Sequence, residues 1–267
     1  MKIGVFDSGL GGLTILKAII AKLPQYDYLY LGDNARVPYG GRSAEIIYQF
    51  TKQAVEFLFK QNCQLIILAC NSATANALRR LQQEYLPKNY PKRRILGIIK
   101  PTIEYLLENK VNKVSLIGTY ATTSSNAYKR EIDKVLPKTK LKQYSCPLLV
   151  PLIEESETKS KAFKLILQKY LKPLKKWQPE VLLLACTHYG LIKAQIQQEM
   201  DVLTKVIDQG ELVANKLEEY LSKNLPIEKK LSQQKSRQYY ATDLNARFSQ
   251  MAKLFMTGPL SLQKISF

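Results

Sequence analysis

Short apolar runs alternate with amphipathic stretches along the whole chain. KIGVF is followed by LTILKAIIAKL, YDYLYLGD by SAEIIYQFTKQAVEFLFKQ, and QLIILAC by SATANALRRLQQEYL. That alternation predicts successive βα units, and so a parallel sheet with helices on its faces. The fold class is α/β. The second half repeats the plan: RILGII precedes PTIEYLLENK, KVSLIGTY precedes SSNAYKREIDKVL, and EVLLLACT precedes GLIKAQIQQEM.

Details repeat as well. QLIILACNS resembles EVLLLACTH, and KIGVFDSG is matched in position by KVSLIGTY. Two similar lobes are expected, each a parallel sheet flanked by helices. One comprises residues 1–96 plus 208–267 and carries Cys70; the other comprises residues 97–207 and carries Cys186. The boundary falls near Leu96 and Gly97, where PKRRILGIIKP joins the halves, and the return near Val206 to Asp208. Ligands of such sheets bind beyond the carboxyl ends of the strands, so two facing lobes would enclose one site between them.

Composition leaves this picture intact. A chain of 267 residues, 46% hydrophobic and 23% charged, can bury a proper core and has the make-up of an ordinary globular protein. The start, MKIGVFDSGL, passes straight into a strand-like run, so no secretion signal is expected. The longest apolar runs fall far short of the ~18 to 20 residues that cross a bilayer. The expected location is cytoplasmic, with no membrane association.

Charge adds one question. Lys and Arg number 40 against 22 Asp and Glu, a formal charge of +18. Such a surplus could serve nucleic acid through counterion release. The basic residues are, however, spread over several segments, among them Arg79, Arg80, Lys138, Lys140, Lys169 and Lys172, without an aromatic-interleaved motif. A lysine-rich solvated surface that steers small anions accounts for them, and nucleic acid is not required.

The cysteines carry the candidate chemistry. Those at 63, 70, 146 and 186 show no CxxC spacing, and the single histidine, His188, has no partner at zinc-site spacing. No metal site and no disulfide framework are expected. Cys70 and Cys186 each end an apolar strand and are each followed by small polar residues opening a helix. A helix N-terminus favours thiolate and lowers a thiol pKa from about 8.5. One such cysteine reads as a small core residue; two in matching repeats read as a reactive pair. Inverting a carbon that bears hydrogen needs proton removal on one face and delivery on the other, and two opposed thiols supply that. A hydrolase would want one cysteine with a histidine, a third group and an oxyanion hole, and has no use for the second.

Three loops add candidates. In DSGLGG, Asp7 to Gly12, the glycines permit close backbone approach, while Ser8 and exposed amides can receive a carboxylate. A dinucleotide fingerprint would need glycine where Thr14 stands. The loop GDNARVPYGGRS holds Asp33, which could support proton transfer, with Pro38, Tyr39 and Gly40 beside it. In GTYATTSS, an anion could sit on a helix start, or Ser124 or Ser125 could simply cap the helix.

With DSGLGG, DNARVPYGGRS, ACNSATA, CPLLVPLIEE, LACTHYGLI and VIDQG in this order and spacing, nearly the whole chain resembles the cofactor-independent aspartate/glutamate racemase family. The resemblance implies that Cys70 and Cys186 are the two proton donors and acceptors, Cys70 acting on the D-enantiomer and Cys186 on the L-enantiomer. It implies auxiliary roles for Asp7 and His188 beside the cysteines, with Asp33 and Glu154 as further catalytic candidates; Glu154 could alternatively cap a helix. Substrate would be held by Asp7, Ser8, Pro38, Tyr39, Gly40, Asn71, Ser72, Thr187 and His188.

Cys-Thr-His at 186–188 resembles the glutamate branch of the family, where the aspartate branch usually has an acidic residue after the threonine. The implied role is supply of D-glutamate for peptidoglycan, without any cofactor. The expected partners are the small-molecule substrate and a second copy of the chain in a homodimer. Four positions depart from the usual pattern: Ser72 for threonine, Ala185 for glycine, Gly190 for proline and Gln209 for serine. Two other readings stand beside this one. One is an aspartate racemase or related amino-acid isomerase; the other is a basic binding protein on the same fold.

Overall fold

In the computed structural model, which describes residues 1–244, 251–252, 255–256 and 260–267, the apolar runs form strands and the amphipathic stretches form helices. The strands are β1 (Lys2–Asp7), β2 (Tyr28–Gly32), β3 (Cys63–Leu68), β4 (Arg94–Gly97), β5 (Lys113–Gly118), β6 (Lys140–Ser145), β7 (Val181–Ala185), β8 (Lys205–Ile207), β9 (Arg237–Ala241) and β10 (Leu262–Lys264). They build two sheets. One has six strands in the order β10-β9-β2-β1-β3-β4, the other four in the order β6-β5-β7-β8. Every pairing among them is parallel.

The repeat seen in the sequence is a repeat of topology. β1 lies between β2 and β3 with β4 beyond, and β5 lies between β6 and β7 with β8 beyond. Cys70 follows β3 and Cys186 follows β7, so the two thiols leave equivalent strands of the two sheets.

Both sheets are covered on both faces, which is why strands such as β2, β3 and β7 are buried at every residue. On one face of the first sheet, Val5, Tyr30 and Ile67 pack with Leu16 and Ile19 of helix α1 (Gly12–Lys22). On the other, Phe6, Leu31 and Leu68 pack with Val55 and Leu58 of α2 (Ala44–Lys60) and Ala73 and Ala77 of α3 (Asn71–Arg80). In the second sheet, Leu182 and Leu184 meet Leu167 and Leu171 of the helix Lys161–Trp177. Leu116 and Leu183 meet Leu106 and Ile132 on the opposite face. Each valine, leucine, isoleucine or phenylalanine among them contributes about 1.5–3 kcal/mol by leaving water.

After β8 the chain crosses back. Val213, Leu217 and Leu221 of the helix Gly210–Lys223 join the core of the first sheet beside α1. The segment expected to return to the first lobe, 208–267, includes residues 245–250, 253–254 and 257–259, which lie outside the described residues.

Candidate active site

A cavity of about 370 Å³ opens beyond the carboxyl ends of β1, β3, β5 and β7, and both Cys70 and Cys186 line it. Ser8, Pro38, Tyr39, Gly40, Asn71 and Ser72 line it from the side of the first sheet. Glu154, Thr187 and His188 line it from the side of the second. Two expected residues, Asp7 and Asp33, are buried behind this wall rather than in it.

Cys70 follows β3 in extended conformation and is the N-cap of α3. Its Sγ lies 3.4 Å from Ser8 Oγ. The expected thiolate bias does not hold here, because burial and the nearby Asp7 charge push the Cys70 thiol up to about 12, against hydrogen bonds from Ser8 and from the backbone of Ala73. Desolvation outweighs the helix N-terminus, which would otherwise favour the anion. Cys70 therefore rests as a thiol.

Cys186 is followed not by an α-helix but by a 3-10 helix, Thr187–Ile192. His188 reaches back so that its Nδ1 is 4.0 Å from Cys186 Sγ, while its Nε2 donates to Glu154 Oε1 at 2.9 Å. Burial pushes the imidazole pKa down, but the hydrogen bonds and charges of Cys186 and Glu154 outweigh it and carry His188 from 6.5 to about 10. The ring is thus held as an imidazolium, braced edge-on by Phe255 with centroids 5.2 Å apart. Glu154 ends the helix Leu149–Glu154 and so does not cap its start.

Asp7 stands between the two sides. Its Oδ2 accepts from Gly9 N at 2.9 Å and its Oδ1 from Thr187 Oγ1 at 3.4 Å. Burial raises the carboxyl above its ordinary value, opposed by the charge of His188 and hydrogen bonds from Gly9, Gly12 and Thr187. The DSGLGG loop packs so closely on the second cysteine loop that a Cβ on Gly11 would lie 2.2 Å from Thr187 Oγ1 and 2.6 Å from His188 Nδ1. Only glycine fits there.

Asp33 supports a wall residue. Its Oδ2 accepts from Tyr39 OH at 2.5 Å and from Arg36 Nε at 2.7 Å, and its Oδ1 accepts from Thr242 Oγ1 at 2.9 Å. With both oxygens engaged and no exposure, it orients Tyr39 and does not face the cavity.

Thr119, at the start of the GTYATTSS segment, also lines the cavity and was not singled out by the sequence. Its Oγ1 is 2.9 Å from Ser72 Oγ and accepts from Thr122 N, so Thr119 caps the helix Tyr120–Ser124, while Ser125 Oγ accepts from Ala127 N at 3.1 Å at the start of the next helix, Ala127–Val135, in line with the capping expected of it. A Cβ on Gly40 would come within 2.7 Å of it. The only sequence signal for Thr119 was a hydroxyl in the loop after β5, the strand equivalent to β1.

The four departures have distinct settings. Ser72 keeps its hydroxyl in this cluster, and Ala185 lies on the cavity wall. A side chain on Gly190 would meet nothing within 4 Å. Gln209 is buried and bonded to Asn71.

Two thiols on one cavity, each with an auxiliary polar system, suit proton exchange at a carbon held between them. Comparison with known proteins agrees. The sequence profile described as Asp/Glu/Hydantoin racemase matches residues 9–217. The chain belongs to the Asp/Glu/Hydantoin racemase family.

Its relatives in that family cover it almost end to end. It is 37% identical to a protein of Aquifex aeolicus named glutamate racemase, over 96% of this chain and 94% of that one. It is 36% identical to the glutamate racemase of Geobacter metallireducens, over 97% of this chain and 93% of that one. Among solved structures, the glutamate racemase of Francisella tularensis in complex with D-glutamate superimposes with a TM-score of 0.89 at 34% identity, over 99% of this chain and 97% of that one.

Proposed function

We propose that the chain interconverts L- and D-glutamate by proton transfer between two thiols, without a cofactor. The observation that carries this reading is that equivalent strands of two topologically repeated sheets lead into Cys70 and Cys186, and both cysteines line one cavity. The names of the close relatives, and the D-glutamate complex of one of them, support glutamate as the substrate.

In each direction one cysteine, as thiolate, removes the α-proton from one face of the substrate. The electron pair left on carbon is shared with the adjacent carboxylate, and the other cysteine, as thiol, delivers its proton to the opposite face. The two sulfurs end with their protonation states exchanged. Cys70 is assigned to the D-enantiomer and Cys186 to the L-enantiomer. The imidazolium of His188, held by Glu154, stabilises charge beside Cys186, and Asp7 is the auxiliary carboxyl beside Cys70. Hydroxyls and amides of Ser8, Tyr39, Gly40, Asn71, Ser72 and Thr187 hold the carboxylates and stabilise the developing enediolate.

Cys186, His188 and Glu154 also form the file expected of a nucleophilic hydrolase. Cys70 on the same cavity argues for the racemase, since a hydrolase leaves it without a task.

On this reading the chain is two lobes, 1–96 with 208–267 and 97–207, that close on the substrate. The proposal includes a cytoplasmic role in supplying D-glutamate for peptidoglycan, and a homodimer, for which the half-exposed Leu148 and exposed Tyr120 near the cavity mouth offer apolar surface. Light scattering checks the dimer. Among the described residues, no helix is long and apolar enough to cross a membrane.

The deciding experiment is incubation with each enantiomer of glutamate, and separately of aspartate, in deuterated water with no added cofactor. Inverted glutamate carrying deuterium at the α-carbon is expected; turnover of aspartate alone would replace the substrate, and no turnover of either would overturn the reading.

A further inference from the structure

Gln209 sits between β8 and the helix Gly210–Lys223 and is only 4% exposed. A glutamine carboxamide buried to this degree costs free energy unless its polar atoms are paired. Here they are. Oε1 accepts from Asn71 Nδ2 at 2.6 Å, and Nε2 lies 2.8 Å from both Thr102 Oγ1 and Tyr128 OH. Tyr128 OH in turn donates to Asn71 Oδ1 at 2.7 Å, closing a ring of three side chains.

One backbone atom fixes the sense of the whole ring. Gln209 Nε2 is 3.2 Å from the carbonyl oxygen of Ile98, which can only accept a hydrogen bond. The glutamine nitrogen must therefore face Ile98, and its oxygen must face Asn71. That oxygen forces Asn71 to turn its Nδ2 toward Gln209 and its Oδ1 toward Tyr128. A flip of Asn71 alone would set two acceptors against each other at 2.6 Å. Thr102 fits the same polarity, since its hydroxyl donates to Ile98 O at 3.0 Å and is free to accept from Gln209.

Asn71 is the first residue of α3 after Cys70 and lines the cavity. With one N–H given to Gln209 and one lone pair to Tyr128, it keeps one N–H and one lone pair uncommitted among the described residues. We propose that Gln209, acting with Tyr128, is a positioning residue: it sets the orientation of the Asn71 carboxamide, so that its free N–H meets the anionic substrate beside Cys70. The inference deepens the racemase reading and rests on it for the substrate.

The test is a double-mutant cycle on the full chain with Gln209→Leu, Tyr128→Phe and Asn71→Ala, read as KM and kcat for each enantiomer of glutamate. Gln209→Leu and Tyr128→Phe are each expected to raise KM roughly tenfold, the scale of one hydrogen bond, with a smaller effect on kcat. In the Asn71→Ala background neither should change KM more than about twofold, because the group they orient is gone. A merely structural role would lower the melting temperature and add to Asn71→Ala; additive effects overturn the inference. Tyr128→Phe keeps the ring and guards against loss of folding by Gln209→Leu.

A second measurement is independent of turnover. The side-chain amide proton pair of Asn71, assigned by its loss in Asn71→Ala, should shift in both other variants. An unmoved pair overturns the positioning role even if glutamate is racemised. A chain that fails to turn over glutamate sinks the functional reading, while this spectrum still decides the orientation of Asn71.

Discussion

At the residue scale, the site is governed by how much charge each buried group can carry. Cys70, pushed up to about 12, is protonated at neutral pH, so a thiolate formed there is a strong base suited to a feebly acidic α-proton. Replacing either Cys70 or Cys186 by alanine should lower racemisation by about 10²–10⁴-fold or more, measured by circular dichroism. Near-normal activity in either variant would remove the two-thiol mechanism. His188 makes a pH prediction. Its pKa is 6.5 ordinarily and about 10 in the folded chain, so the folded state binds the proton more tightly. The stability it adds is complete below 6.5 and is lost as pH rises toward about 10. Urea denaturation of the wild type and His188→Gln at stepped pH should therefore show a gap that narrows over this interval. Gly11→Ala places a methyl where Thr187 and His188 already stand, and should cost about 1–3 kcal/mol of stability together with activity, by melting and steady-state kinetics.

At the scale of the element, strand and helix follow closely from the alternation of apolar and amphipathic runs, because strands buried on both faces must be apolar throughout. β3 and β7 were legible for that reason, as was the equivalence of the cysteines that follow them. The 3-10 helix after Cys186 was not legible. Its residues THYGLI look like the opening of an α-helix, and what holds them otherwise is tertiary: Tyr189 OH donates to Cys146 O at 2.9 Å, and His188 bonds to Glu154. Helix starts away from the site are simpler. Ser160 accepts from Phe163 N at 3.1 Å at the start of the helix Lys161–Trp177. Ser160→Ala should cost about 1 kcal/mol in denaturant titration and leave kcat unchanged. A matching fall in kcat would tie that helix to the chemistry.

At the scale of the whole molecule, the charge of +18 surrounds a cavity whose described lining residues include no lysine or arginine. Attraction of a dicarboxylate is then a long-range effect and binding a short-range one. The kcat/KM for glutamate should fall as salt rises from about 0.01 M to about 1 M, as the Debye length shrinks from ~30 Å to ~3 Å, while kcat changes less. An insensitive kcat/KM would leave the basic surface without a part in substrate capture.

The sequence by itself determined the α/β class, the internal repeat, and the candidate pair Cys70 and Cys186, because hydrophobic period and repeated motifs are local and survive without coordinates. It also named Glu154 and His188, though only by resemblance. Tertiary structure decided the rest, since hydrogen-bond partners far apart in sequence meet only when the two sheets pack. It set Asp33 behind Tyr39, gave Thr119 a place on the wall, and reversed the expected acidity of Cys70, because desolvation depends on everything packed around the sulfur. It also turned Gln209 from a departure in a motif into the partner of Asn71, 138 residues away.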